Sequence, residues 1–400
     1  MNLYRSFFLL MLIITSKLLM AYTIDTDEIN YIYHPYSDFY SENFLGVDTA
    51  GRGYSGVASI GGIEATLINP ASLQIENKIQ FYYEYGSKKK MDYLKEYYNN
   101  SELSQYKKGI FLGLAYKISD YFQAGLFYGN KYSIKTYFGT LYILDYNYQP
   151  IDSLQSYFKK KCSTLNVPIS YQHSDNFRIG ASINFEIYES EEPVILFDYY
   201  GNYEIHKGKA DFVKIRTTIG FILSLHKYIT FGTSFLSSTK TNVIEDVKWY
   251  KVKYKANIFP WELRTGLMYS SPNIPLNLFV DFQHVHTSDY HDLKNRNDFF
   301  VGAEYKLKKY IFRLGYMTQN EYRDLSLKIN DETDLWLDDK PHRRHFLTLG
   351  GSCEWKSLKF SLAYMDSKIL SPNEEDQKYF KLSITFKPTK MTTKKKELHN

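Results

Sequence analysis

Between Phe177 and Ile187 apolar and polar residues alternate without a break. Phe177, Ile179, Ala181, Ile183, Phe185 and Ile187 fall on one face, and Arg178, Gly180, Ser182, Asn184 and Glu186 on the other. This is the period of a β-strand, whose successive side chains point to opposite sides. From Lys78 onward the same period recurs, in sets such as Ile215/Thr217/Ile219/Phe221/Leu223, Tyr310/Phe312/Leu314/Tyr316 and Phe360/Leu362/Tyr364. It predicts fourteen strands, near 78–86, 108–117, 120–130, 163–173, 175–188, 211–226, 228–237, 260–270, 275–286, 298–307, 309–318, 344–356, 358–366 and 378–387. An apolar face on every strand has to meet either a second sheet or lipid.

The connections decide between those two. Very short turns (118–120, 174–176, 226–227, 272–274, 308–309, 356–357) alternate with long polar stretches (87–107, 131–162, 189–210, 238–259, 287–297, 319–343, 367–377). Short turns at one rim and long loops at the other are the pattern of an outer-membrane barrel, turns periplasmic and loops extracellular. The 39 Tyr and 27 Phe in a chain of negative mean hydropathy fit aromatic girdles around a polar lumen. The fold expected is therefore all-β, a transmembrane antiparallel β-barrel over residues 78–387, with an even strand count that puts both termini on the periplasmic side. The last strand, Phe380 to Phe386, carries aromatic residues at both ends of its apolar face, as signals for the barrel-assembly machinery do. A basic stretch, 388–400, reads as a periplasmic tail.

Residues 1–21 read as a secretory signal peptide, with Arg5, an apolar run Phe7 to Ile14, and cleavage after Ala21; Lys17 interrupts the apolar part. No later run reaches the ~20 apolar residues of a membrane-crossing helix. The 49 basic and 44 acidic residues are interspersed, so no nucleic-acid footprint stands out. Cys162 and Cys353 lie far apart and give neither a disulfide framework nor zinc spacing. His284, His286, His291, His342 and His345 have no carboxylate or thiol at ligand spacing, so no metal is expected. No nucleophile elbow is present, so the chain does not read as an enzyme, and no cofactor is implied.

The stretch Gly51-Arg52-Gly53-Tyr54-Ser55-Gly56 matches a dinucleotide fingerprint literally, but the fingerprint needs a strand before it and a helix after it, and glycines crowd the region out to Gly62. Together with Asn69-Pro70-Ala71, the stretch resembles the N-terminal region of the FadL-type family of outer-membrane transporters for long-chain fatty acids and other hydrophobic molecules. Gly51, Arg52, Tyr54, Ser55, Gly56, Asn69, Pro70 and Ala71 carry the resemblance. It implies a fourteen-stranded barrel closed by an N-terminal hatch, here residues 22–77 as lead-in and plug. Family members often have an acidic pair midway; Gly61-Gly62 stand there in this chain, with Glu64 nearby.

By the period-two count, Arg178, Arg216, Arg264 and Arg313 point inward, and so do Phe111, Phe127, Phe279 and Phe300. The repeated Arg-x-Gly spacing (Arg178/Gly180, Arg264/Gly266, Arg313/Gly315) reads as room for a guanidinium to lie flat against the plug. The arginines are either structural or partners for a ligand carboxylate, and the aromatic residues line an apolar path. In the family a kink in the third strand opens the wall sideways; Gly125 and Gly129 lie in that strand here. The function implied is passive uptake of hydrophobic small molecules such as long-chain fatty acids, with outer-membrane lipid and lipopolysaccharide as surroundings; Lys88 to Lys90 and Lys159 to Lys161 are candidates for lipopolysaccharide phosphates. The alternative is a PorV-type barrel subunit of a protein secretion apparatus.

Overall fold

The structure, a computed structural model, describes residues 45–88, 109–144, 150–198, 201–247, 250–287, 294–320, 343–370 and 378–388. The signal-peptide assignment, the lead-in before Leu45, Lys89, Lys90, His291, His342 and the tail from residue 389 lie outside the described residues. The strands are β1 Ile79–Lys88, β2 Gly109–Lys117, β3 Phe122–Leu144, β4 Pro150–Gln172, β5 Phe177–Asp198, β6 Gly201–His226, β7 Ile229–Leu236, β8 Thr239–Val247, β9 Tyr250–Phe259, β10 Glu262–Ser270, β11 Leu276–Val285, β12 Arg296–Leu307, β13 Tyr310–Gln319, β14 Arg344–Trp355, β15 Leu358–Asp366 and β16 Lys378–Phe386. All but β8 and β9 close into one antiparallel barrel, in the order β1-β16-β15-β14-β13-β12-β11-β10-β7-β6-β5-β4-β3-β2. The fourteen-stranded barrel expected from the alternation is present.

Every short turn forms where the alternation places it, and the turns share one rim. Phe81 on β1 pairs with Phe386 on β16, so the barrel's first and last strands meet beside that rim. The far rim differs from the expectation. β3, β4, β5 and β6 run 23, 23, 22 and 26 residues, so much of 131–162 and 189–210 is paired strand rather than loop. The stretch 238–259 holds a two-stranded hairpin, β8 with β9. About ten residues suffice to cross a bilayer, so these strands continue past any lipid belt. Beyond it no apolar face is required, and backbone pairing persists without the alternation that marks it in sequence.

The outward face carries a continuous belt of exposed apolar side chains, among them Leu112, Ile219, Val280, Leu314, Leu349 and Leu382. Such a belt is far larger than a water-soluble surface tolerates. The inward face is buried and mostly polar, with Asn166, Glu186, Arg216, Asp281, Arg313 and Thr348 among its members. Residues 45–75 fill the space inside, as one helical turn, Val47–Gly51, and two short 3-10 turns, Ile63–Leu67 and Pro70–Ser72.

Candidate functional site

The site is the contact between the N-terminal segment and the lumenal wall. The segment's chain direction is set by three closely spaced residues of positive φ: Gly53, Tyr54 and Gly56 adopt φ of 67°, 56° and 119°. Glycine takes such angles without steric cost, and Tyr54 takes one while its ring packs with Phe300, Met317 and Phe346. Arg52 folds back along the turn, donating from Nε to the Ser55 carbonyl at 2.8 Å and from Nη2 to Ser59 Oγ at 3.0 Å. Ser55 Oγ donates to the Arg52 carbonyl at 2.6 Å. Asn69 Oδ1 caps the second 3-10 turn by accepting from Ala71 N–H at 3.0 Å, and its Nδ2 donates to the Val57 carbonyl at 2.8 Å and to the wall carbonyl of Phe221 at 3.2 Å. The motif residues thus brace one another and the wall; none presents a free reactive group.

The wall receives this backbone on inward-facing glycines. A methyl at Gly180 would overlap the Pro70–Ala71 peptide, one at Gly232 the Ala58 backbone, one at Gly315 the Arg52–Gly53 peptide, and one at Gly350 would stand 2.7 Å from Gly51 Cα. The Arg-x-Gly spacing therefore has a different cause from the one expected: at Gly180 and Gly315 the glycine admits the segment's main chain rather than a guanidinium. The four arginines have structural partners. Arg178 donates to the Leu73 carbonyl, Arg216 to the carbonyls of Ser237 and Pro260 at 2.9 and 2.7 Å, Arg264 to Asp281 at 3.1 Å and to the Tyr54 carbonyl, and Arg313 to Glu304 at 2.7 Å and Asp48 at 3.1 Å.

A chain of charges ties the segment to β1 and β12–β16. Asp48 is bound by Arg313, Lys359 and Ser352, and Glu304 lies 3.8 Å from Arg52. On the other side Glu64 Oε2 accepts from the Asp48 N–H and from the Tyr82 hydroxyl, both at 3.2 Å, and Glu84 accepts from Gly46 N–H at 2.8 Å while paired with Lys381 at 2.9 Å. Burial alone would raise the Asp48 carboxyl, but Arg313 and Lys359 beside it hold it well below the usual carboxylate value. Burial, and then the Asp48 charge, push the Glu64 carboxyl up to about 8. The proton of this carboxyl pair therefore rests on Glu64 at neutral pH. Sequence reasoning missed Asp48, Tyr82 and Glu84; the inward parity of Tyr82 and Glu84 on β1 and the isolated Glu64 were the available signals.

The four inward aromatics divide three to one. Phe111 and Phe127 stack at 4.8 Å in a cluster with Leu45, Ile63 and Leu73 of the segment, and Phe279 lies under the Arg52 guanidinium at 4.7 Å. Phe300 alone lines a cavity of about 110 Å³ on the long-loop side of the segment, with Leu45, Tyr54, Leu67, Met317, Arg264 and Arg296. Arg296 is buried and bridged to Asp298 at 2.7 Å, and its Nη1 has no hydrogen-bond partner among the described residues. A second cavity, of about 350 Å³, lies on the short-turn side and is lined by charged groups, including Asp48, Arg52, Glu64, Arg313 and Lys359.

The lumenal side of Gly125 and Gly129 is occupied. Ile63 and Pro168 cover Gly125, and Phe111 and Leu45 cover Gly129. The ladder between β2 and β3 runs through both, while Gly125 and Leu126 lack partners on β4, where Pro168 has no N–H to give. Among the described residues no group of His, Cys, Asp or Glu is arranged to hold a metal.

No protein-family description and no curated protein matches the sequence. Solved structures do match in fold. A Pseudomonas aeruginosa FadL homologue superposes with a TM-score of 0.60 at 13% identity, covering 86% of this chain and 98% of its own. The Ralstonia pickettii toluene transporter TbuX gives 0.60 at 14%, covering 88% and 100%, and the Pseudomonas putida toluene transporter TodX gives 0.56 at 12%, covering 86% and 97%. The chain shares with these transporters the closed fourteen-stranded antiparallel barrel described above, and its N-terminal segment carries the motif residues that resemble the FadL type.

Proposed function

We propose that the chain is an outer-membrane channel for passive uptake of hydrophobic small molecules, and that its ligands carry a carboxylate, as long-chain fatty acids do. The observation that carries this reading is the cavity floored by Leu45, Leu67, Phe300 and Met317, whose polar lining holds Arg264 and Arg296 beside Glu262 and Asp298. An apolar floor with two guanidinium groups in the lining suits an apolar body with an anionic head. At about 110 Å³ the cavity takes the head end of such a molecule, while the rest of the chain extends toward the long-loop rim. The barrel fold shared with a FadL homologue and two toluene transporters supports the broader class. The N-terminal segment acts as the plug of this channel, and ligand passes when it shifts. Liposomes containing the purified barrel are expected to take up oleate faster than empty liposomes; equal rates for oleate and for toluene with both liposomes would overturn the reading.

A second reading is a PorV-like subunit that holds a protein partner. The observation favouring it is the four-stranded extension of β3–β6 past the barrel, with the β8–β9 hairpin beside β6. A paired sheet is a firmer platform than loops. Purification of the barrel with a protein bound and no lipid in the lumen would favour it.

A further inference from the structure

At the short-turn rim four lysines sit over outward aromatic rings: Lys227 over Tyr228 at 4.7 Å, Lys309 over Tyr310 and Lys356 over Trp355 at 5.2 Å, and Lys78 over Tyr116 at 5.8 Å. They come from the residue before β1, the β6–β7 turn, the β12–β13 turn and the β14–β15 turn, so they are spread around the circumference rather than clustered. Two further lysines of this rim are already paired, Lys117 with Asp120 at 2.7 Å and Lys387 with Glu354 at 3.9 Å. The four over the rings are exposed and have no carboxylate partner among the described residues. Imidazoles join the aromatic residues at both rims: His226 lies 5.3 Å from Tyr228 and His173 6.2 Å from Tyr171 at the short-turn rim, and at the other Trp261 stacks on His286 at 4.8 Å and Tyr316 on His345 at 6.0 Å with its hydroxyl 2.7 Å from Nδ1.

Aromatic girdles lie at the depth of lipid headgroups. A lysine resting on such a ring holds its ammonium at that depth, its stem on apolar surface and its charge toward the phosphates. A ring of exposed ammonium groups calls for an anionic counterpart at the same height. We propose that the short-turn rim is a binding surface for anionic glycerophospholipid headgroups, with Lys78, Lys227, Lys309 and Lys356 as the phosphate contacts. This surface selects the leaflet that the short turns face and so fixes the barrel's axial seating. It is separate from the lumen and does not rest on the transport reading.

The test is native mass spectrometry of the full chain taken from bilayers of equal parts phosphatidylethanolamine and phosphatidylglycerol. Retained lipid is expected to be enriched in phosphatidylglycerol over the bulk ratio. A lysine near an anionic surface contributes about a fivefold preference. The combined Lys78→Gln, Lys227→Gln, Lys309→Gln, Lys356→Gln protein should therefore return to the bulk ratio, while the same four changes to Arg keep the enrichment. Single Lys227→Gln and Lys356→Gln proteins, each expected to lose part of it, serve where the fourfold change blocks insertion. Absence of enrichment in the unaltered protein, or enrichment that survives in folded Gln variants, would overturn the proposal.

Discussion

The carboxylate of Asp281, in the middle of β11, accepts the backbone N–H groups of Gly56 at 2.8 Å and Val57 at 2.9 Å, holding the tightest turn of the N-terminal segment against the wall. The same carboxylate pairs with Arg264, whose Nη2 also donates to the Tyr54 carbonyl. Removing it leaves a buried guanidinium and two N–H groups without their partner. Asp281→Ala is expected to cost about 3–5 kcal/mol, read as a lowered urea midpoint of the bilayer-embedded barrel, with Asp281→Asn intermediate.

Gly315 on β13 faces the Arg52–Gly53 peptide without room for a side chain. Gly315→Leu should displace the segment while leaving the wall paired, because the clash is with the segment and not with a neighbouring strand. Liposome swelling should show entry of small sugars that the unaltered barrel excludes. Leu314→Ile, on the exposed outer face one residue away, should leave entry unchanged.

Seating of the segment should depend on pH in a direction set by Glu64. Its carboxyl is pushed up to about 8 in the folded protein by burial and by Asp48, so the folded state holds a proton that the unfolded chain releases in the ordinary carboxylate range. The stabilisation is complete below that range and declines as pH rises, until it is gone above about 8. Asp48, held low by Arg313 and Lys359, acts oppositely and weakens the contact only in acid. Urea midpoints between pH 6 and pH 9 should fall for the unaltered barrel and stay flatter for Glu64→Gln.

Arg296→Gln tests the ligand class. It removes the guanidinium from the lining of the cavity near Phe300 and Met317 and takes from Asp298 its partner, so the variant's urea midpoint is measured beside its uptake. Oleate uptake should fall roughly tenfold, the worth of one charge-assisted hydrogen bond, and toluene uptake should hardly change. Equal loss for both would mean that Arg296 shapes the cavity and does not read the head group.

The barrel was legible because lipid enforces alternation on every crossing strand: Phe177 to Ile187 announces β5 as clearly as the coordinates do. The far halves of β3–β6 were not legible, since a strand such as that around Lys159 to Lys161 keeps its pairing in water without an apolar face. The motif residues from Gly51 to Ala71 could be picked out, and Arg52, Tyr54 and Asn69 do bind the wall. What they bind was hidden, because a backbone-to-glycine contact such as Gly51 against Gly350 leaves no chemical signature beyond the glycine itself. The carboxyl pair of Asp48 and Glu64 was hidden for a related reason: the two are sixteen residues apart in irregular chain, and only folding brings them together.

Gly180 on β5 and Gly315 on β13 lie six strands apart one way round the barrel and eight the other, so the segment resting on both is a strut across nearly the full diameter. Its two ends meet main chain, not side chains that can swing aside. The cross-section of the cylinder is therefore set from within: with the strut in place the wall can neither flatten nor round, and its bore is a property of residues 45–75 as much as of the strands.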